Sequence, residues 1–540
     1  MSDEERHTIE GIDRRRVLQG IGGAGIVSIA GCTSTTGETD EGPSGKLRFA
    51  LVNSPIEFDP IVLNDVPSSQ VVDRVVEGLY TYDDGTGIVP ELAAGEPEVS
   101  DDGLQYVVEI ADAATFSNGD PVTATDVKYS FEAPVAEETE NASELNMIDT
   151  ITVVDESTVQ FDLKYPYGPF KTALTWSVVP KSVREQDKEA FNTGGNLVGS
   201  GPFLFDEWQE GQFARVVANE DYWGEPMPNL AEVEFVPVEE ATTRVTTLQN
   251  GENDIVEEIP PKQYPTVRSI SDAEIQEIPG IGYFYAAFNC NEGPTTDPQV
   301  REAIDYTFSM DQAVSNFVEP TGVRQYSPYP ASIANDWDFP VDEWKGIPHD
   351  KDIAEAEALF EEAGVPSDYS FQIIVPPDDK REQIGITISN GIKEAGYDAS
   401  VQRLQWGAFL DKYVTGKEDD YNIYTLGWSG TPDPDAFSYY LFGRDENTLG
   451  VTNGTYYGAN GEAGKTVSDQ IIEARQTADR EARRQLYIEA TTTLLEDRAH
   501  LPAYNLKNSF GVKNYVGDFH AHPVNSFTLS TDYNNVSLNE

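Results

Sequence analysis

Strand-like and helix-like hydrophobic periods alternate from Lys46 to the C-terminus without a fixed repeat length. That alternation constrains the fold more than any other feature of the chain. Period-two apolar spacing or β-rich runs predict strands over 46–52, 106–110, 158–163 and 231–238. Spacing of three and four residues, as at Val72, Val75, Val76 and Leu79, predicts a helix over 69–80. Further helices are predicted over 241–249, 300–316, 351–363 and 384–394, and one or two long charged helices over 467–496. Asn250-Gly251, Gly364 and Gly396 supply the stops. Alternation without a period argues for α/β lobes and against a solenoid or propeller. At roughly 100–200 residues per domain, this length holds two or three domains.

The chain carries 94 acidic and 36 basic residues, a net charge of −58. A disordered acidic chain is poor in aromatic residues. This one has 24 Phe, 26 Tyr and 7 Trp, so it can bury a large core, and the acid is expected on a folded surface. Such a surface repels itself at low salt. At molar salt the Debye length shrinks to about 3 Å, so the composition points to a protein adapted to high salt; a merely acidic extracellular protein is the alternative. Nucleic acid is not an expected partner, because phosphate binding needs basic patches.

The N-terminus reads as an export signal over 1–32. Arg14, Arg15 and Arg16 precede a short Gly-rich apolar run that closes on Ile29-Ala30-Gly31-Cys32. Paired arginines suit the twin-arginine route, and the closing residues resemble a lipobox in which the Cys32 thiol takes a lipid. Residues 33–45, rich in Thr, Ser, Gly, Glu and Asp, read as a flexible tether. The string 20–25 spells G-x-G-x-x-G, but no strand precedes it and no βαβ unit surrounds it, so a dinucleotide site is rejected. With Cys32 committed, Cys290 is alone; no intrachain disulfide is expected, and Cys290 reads as a small core residue. After the signal, no apolar run reaches transmembrane length. Glycosylation sequons at Asn141, Asn453 and Asn535 are weak pointers to surface exposure.

Catalytic motifs are missing: there is no H-E-x-x-H, P-loop or G-x-S-x-G. His520 and His522 could share one face of a strand, but no third ligand lies nearby in sequence. No metal and no cofactor are expected.

Several stretches, taken in order, resemble the family 5 extracellular solute-binding proteins of ABC importers. They are Pro90-Glu91-Leu92-Ala93 with Ser100 to Tyr106, Phe116-Ser117-Asn118-Gly119-Asp120-Pro121 with Asp126-Val127, and Gly199-Ser200-Gly201-Pro202-Phe203 with Asn219 to Gly224. Phe288-Asn289, Val300 to Ile304, Gly427-Trp428 and Pro502 continue the set. Asn118 to Pro121 is turn chemistry, Thr123 or Thr125 can cap a helix at Asp126, and Gly199 and Gly201 allow unusual backbone angles. Tyr222-Trp223 is expected to pack a loop onto a core.

The resemblance implies a periplasmic-binding-protein type II-like α/β fold, two lobes with a hinge and an extra subdomain. Lobe I would take 46–70, 190–286 and 512–540, the extra subdomain 71–189, and lobe II 287–511, with chain crossings near 286 and 511. It implies capture of a peptide or other small solute without chemistry, delivery to ABC permease subunits, a lipid anchor at Cys32 on the outer face of the cell membrane, and a monomer. The loop holding Ser54, Ile56 and Glu57 would face the cleft, and Trp406 and Trp428 would line it. In the family's peptide binders an acidic residue three after the tryptophan pairs with the ligand ammonium. Here Thr431 stands there, and Asp433 in the stiff run Pro432-Asp433-Pro434 is the candidate replacement. Arg381 lies where dipeptide binders hold a carboxylate, though a solvated Lys380-Arg381 pair fits as well. Thr431 also leaves open a binder of oligosaccharide or another polar solute. A secreted α/β hydrolase would need a nucleophile–base pair, and an adhesive surface protein would need repeats.

Overall fold

The computed structural model describes residues 42–529 and 535–539. The export signal, with Arg14, Arg15 and Cys32, lies outside the described residues. The backbone is organised around a 12-stranded mixed sheet whose path is continuous from Asp398–Arg403 at one edge to Phe203–Gln209 at the other. The strand His500–Lys513 makes it continuous. Its first residues pair antiparallel with Gly282–Phe288, matching His500 to Ala287 and Tyr504 to Phe284. Its last residues pair with Ile255–Glu257, matching Val512 to Ile255.

Each half of the sheet has its own core. Tyr283, Phe288, Ile304, Phe371, Ile423, Phe437 and Leu494 belong to one; Leu47, Phe49, Val71, Val75, Val216, Phe235, Phe510 and Val512 belong to the other. A separate antiparallel sheet runs Glu98–Val99, Gln105–Glu109, Thr158–Leu163, Ile148–Val153, over a third core that includes Tyr106, Val127, Phe161 and Phe170. Residues of Thr158–Leu163 alternate between partly and fully buried, as the period-two spacing requires.

Most elements form where the sequence places them, and caps decide their ends. Lys46–Leu51 and Glu232–Pro237 are strands. Ala241–Asn250 is a helix closed by Gly251 at φ 71°. Asp352 caps Ile353–Glu362 by accepting from the amides of Ala354 and Glu355. Asp379–Glu394 starts five residues before the predicted 384, because Asp378 caps it through the amide of Arg381. The predicted helix 300–316 is two helices, Pro298–Tyr306 and Met310–Phe317, since Ser309 caps a second start. The long charged segment is also two, Glu462–Arg475 and Arg480–Glu496, with Asp479 capping the latter.

The helix expected over 69–80 is displaced. It runs Val66–Val72 because Asp65 accepts from the Ser68 amide and Pro67 sits in the first turn, and Tyr80–Tyr82 is already a strand. The glycines of 199–201 also serve differently from the expectation. Neither has positive φ; a Cβ on Gly199 would lie 1.9 Å from the Val75 carbonyl oxygen, so the requirement is close backbone approach. Thr123 and Asp126 form a reciprocal capping box. The Tyr222 hydroxyl and the Trp223 indole N–H both donate to the Glu77 carboxylate, at 2.6 and 2.9 Å, holding that loop as scaffold. Cys290 is buried in the first core. Asn453 is buried with its amide committed to the Gly443 and Tyr457 carbonyls, so that sequon is not on the surface. Among the described residues, no helix is long and apolar enough to cross a membrane.

Candidate functional site

The main cavity measures about 750 Å³ and is lined from three directions, within the roughly 300–1,000 Å³ of small-ligand sites. Pro60, Leu63, Val72 and Asp73 come from the segment after the first strand. Glu144, Tyr165, Tyr167 and Trp176 come from the chain around the four-stranded sheet. Trp428, Thr431, Asp435, Tyr439 and Arg475 come from the far half of the large sheet and its helices.

Trp428 is near the end of the strand Ile423–Ser429. Its indole N–H donates to the Ala436 carbonyl at 2.8 Å, and its ring centre lies 5.7 Å from that of Tyr440. The chain then turns through exposed Thr431 into the helix Pro434–Phe442. Asp433 caps this helix, accepting the Asp435 amide at 2.8 Å, and Pro434 occupies the first helical position, where its missing N–H costs nothing. The same Asp433 oxygen accepts from Arg483 at 2.6 Å, with both side chains buried.

Asp433 caps the helix, pairs with Arg483 and is not among the residues lining the cavity. A cap turns its side chain back onto the helix amides. Asp435, two residues on, borders the cavity instead. One of its oxygens is held by Arg475, whose guanidinium lies 4.7 Å from the Tyr167 ring centre and 3.9 Å from that of Tyr439. Burial pushes the Asp435 carboxyl up to about 6, against the opposing pull of Arg475. Burial likewise pushes Asp73 up to about 6, against Arg74.

Of the residues singled out from sequence, Trp428 and Thr431 border this cavity and the others do not. The Ser54 hydroxyl accepts from the Gly211 amide at 3.2 Å. The amides of Ile56 and Glu57 donate to the Ser68 hydroxyl, and the Ile56 side chain is exposed. Trp406 is half-exposed, stacked on Phe409 at 5.9 Å. Arg381 lies between the rings of Phe284 and Trp406, 5.8 and 6.0 Å away, and pairs with Asp378 at 3.3 Å. Sequence reasoning missed Asp435, Arg475, Tyr167 and Tyr439. The Asp-Pro-Asp run signals a helix start, but only the folded turn separates the capping carboxylate from the one facing the cavity.

Among the described residues, no histidine lines the cavity. His500 is stacked on Tyr285 at 4.1 Å, and burial holds it well below the usual imidazole range. His522 faces the backbone carbonyls of Asp83 and Val524. Among the described residues, no group of three or more His, Cys, Asp and Glu side chains could hold a metal ion.

A cavity walled by segments from both halves of the large α/β sheet, with aromatic faces and few charges, suits a solute-binding protein. The sequence model described as bacterial extracellular solute-binding proteins, family 5 (middle region), matches residues 87–448. The chain belongs to this family, which comprises binding proteins rather than enzymes. Among curated relatives, it is 25% identical over 500 residues to the oligopeptide-binding protein AppA of Bacillus subtilis (strain 168), covering 89% of each chain. It is 26% identical over 462 residues to the glutathione-binding protein GsiB of Escherichia coli O1:K1 / APEC, covering 82% of this chain and 86% of the relative. Among solved structures, HbpA2 from Haemophilus parasuis superposes with a TM-score of 0.80 at 22% identity, covering 92% of this chain and 100% of that one. AppA of Bacillus subtilis in complex with a nonapeptide gives 0.66 at 22% identity, covering 92% and 100%. The fold is that of the type II-like periplasmic binding proteins, as expected from the sequence.

Proposed function

We propose that this protein is the substrate-binding lipoprotein of an ABC importer, capturing peptides between two lobes and delivering them to membrane permease subunits. The cavity carries this reading: its walls come from the segments around 60–73 and 144–177 on one side and 428–475 on the other. Relatives named for oligopeptides and glutathione support peptide as the solute. In this reading 46–70, 190–286 and 512–540 form lobe I, 71–189 the extra subdomain and 287–511 lobe II. The adjacent strands Gly282–Phe288 and His500–Lys513 carry the crossings between lobes. Closing about them would let ligand binding select the closed state. Trp428 and Thr431 contribute wall contacts. Thr431 favours a second reading, an oligosaccharide or other polar solute, because a hydroxyl serves such a ligand better than it serves an ammonium.

Export by the twin-arginine route through Arg14 and Arg15, the lipid on Cys32, the 33–45 tether, function in high salt, a monomeric state and the absence of chemistry on the solute complete the proposal. Native mass spectrometry of the purified protein tests the ligand: a co-purified peptide is expected, and a co-purified sugar, or peptide recovered as cleavage products, overturns the reading. Membrane fractionation of Cys32→Ala tests the anchor: the variant is expected in the medium, and unchanged membrane retention overturns it.

A further inference from the structure

We infer that the solute carries a bulky apolar or aromatic group, and that Trp176, Leu63 and Trp428 receive it. This rests on the peptide reading and names the class of peptide that the cavity takes. Trp176 comes from the chain around the four-stranded sheet, Leu63 from the segment after the first strand, and Trp428 from the far half of the large sheet. All three are only partly buried. Trp176 packs against two cores at once, that of Lys46–Leu51 and that of the four-stranded sheet. Leu63 packs against the former and Trp428 against the core of the far half. Each side chain is thus rooted in a core and keeps accessible apolar surface at the cavity wall.

Neither indole offers the solute a polar handle. The Trp176 N–H donates to the Ser130 carbonyl at 3.0 Å, and the Trp428 N–H to the Ala436 carbonyl at 2.8 Å. An indole has no second donor and no acceptor, so these rings present carbon surface alone. The nearby hydroxyl hydrogens are spent as well. Thr172, Thr175 and Thr452 also line the cavity, and they donate to the carbonyls of Pro169, Thr172 and Tyr440 at 2.7, 2.9 and 2.6 Å. A sugar, whose hydroxyls each need a partner, meets few donors at this wall. An apolar side chain needs none. It gains by leaving water, and the open surfaces of Trp176, Leu63 and Trp428 leave water in the same step.

The test exposes the full chain to three probes, read by native mass spectrometry: a pool of tripeptides built from Phe, Leu and Tyr, a pool built from Ser, Asn and Gly, and phenyl β-glucoside. Wild type is expected to retain the apolar pool at least about tenfold over the polar pool, and Trp176→Ala to lose most of that preference. Since Trp176 joins two cores and its variant could fail to fold, Leu63→Asn is the second variant. It makes one partly exposed wall residue polar, leaves both indoles in place, and is expected to cut the preference about threefold or more. Equal retention of the two pools, preference for the polar pool, or a preference unchanged in Leu63→Asn overturns the inference while leaving peptide capture standing. Phenyl β-glucoside retained in a Leu63-dependent manner with neither pool retained upholds the inference and overturns the peptide reading. Retention of none of the three overturns both.

Discussion

Gly168 donates its amide hydrogen to the Arg475 carbonyl at 2.7 Å, and its own carbonyl accepts from Arg483 at 3.0 Å. Both arginines also hold the Asp-Pro-Asp turn, Arg483 through Asp433 and Arg475 through Asp435. A single glycine thus docks the Tyr165-to-Phe170 loop on the corner between Glu462–Arg475 and Arg480–Glu496, beside the cavity and away from the strands that join the two halves of the sheet.

That docking has no room for a side chain. A Cβ on Gly168 would lie 2.2 Å from the Thr477 carbonyl oxygen and 2.8 Å from the Arg483 side chain. Gly168→Val is expected to lift the loop and lose both hydrogen bonds, about 2 kcal/mol in sum. Ligand retention should fall about tenfold or more, and small-angle scattering should show a larger radius of gyration. A variant that scatters and binds like wild type would show that the contact does not hold the cavity wall.

The α/β class and most strands were legible because hydrophobic period and turn residues are local. Thr158–Leu163 alternates in sequence and in burial, and Gly251 ends its helix where Asn250-Gly251 says it must. The site was only half legible. Trp428 and Thr431 stand on a motif, but Arg475 reaches Asp435 across 40 residues, and no local pattern encodes that pairing. The misplaced helix at 69–80 has the same origin: Val75 and Val76 have helical spacing, yet they are spent on packing against the core of Lys46–Leu51.

Asp433 distinguishes scaffold from ligand contact. It is buried, caps Pro434–Phe442 and pairs with Arg483, and breaking a buried pair from one side costs about 3–5 kcal/mol. Asp433→Asn is expected to lower the unfolding free energy by about 3–5 kcal/mol, read by denaturant titration, while the folded fraction still binds. Unchanged stability with selective loss of binding would return Asp433 to the ligand.

The charge of −58 predicts a salt requirement. Self-repulsion on an acidic surface is screened over about 10 Å at 0.1 M salt and about 3 Å at 1 M. The thermal midpoint in KCl should therefore climb steadily between these concentrations at fixed pH. A midpoint that is flat or falling across that range would show that the acid is distributed harmlessly and that no adaptation to salt is needed.

The pH response of the cavity follows from Asp435, whose carboxyl is raised from 3.8 to about 6 by burial. Burial outweighs the pull of the paired Arg475, so this acid binds its proton more tightly folded than unfolded. The ligand-free protein gains stability from this group as pH falls through about 6 and stops gaining near 3.8, by about 2–3 kcal/mol in total. Arg475 and Arg483 oppose the shift, and Asp433 adds to it. Thermal unfolding of the ligand-free protein between pH 7 and pH 4, wild type against Asp435→Asn, reads this contribution. Wild type is expected to gain stability on acidification and the variant to gain less, and an equal pH dependence of the two would show that Asp435 does not titrate with folding.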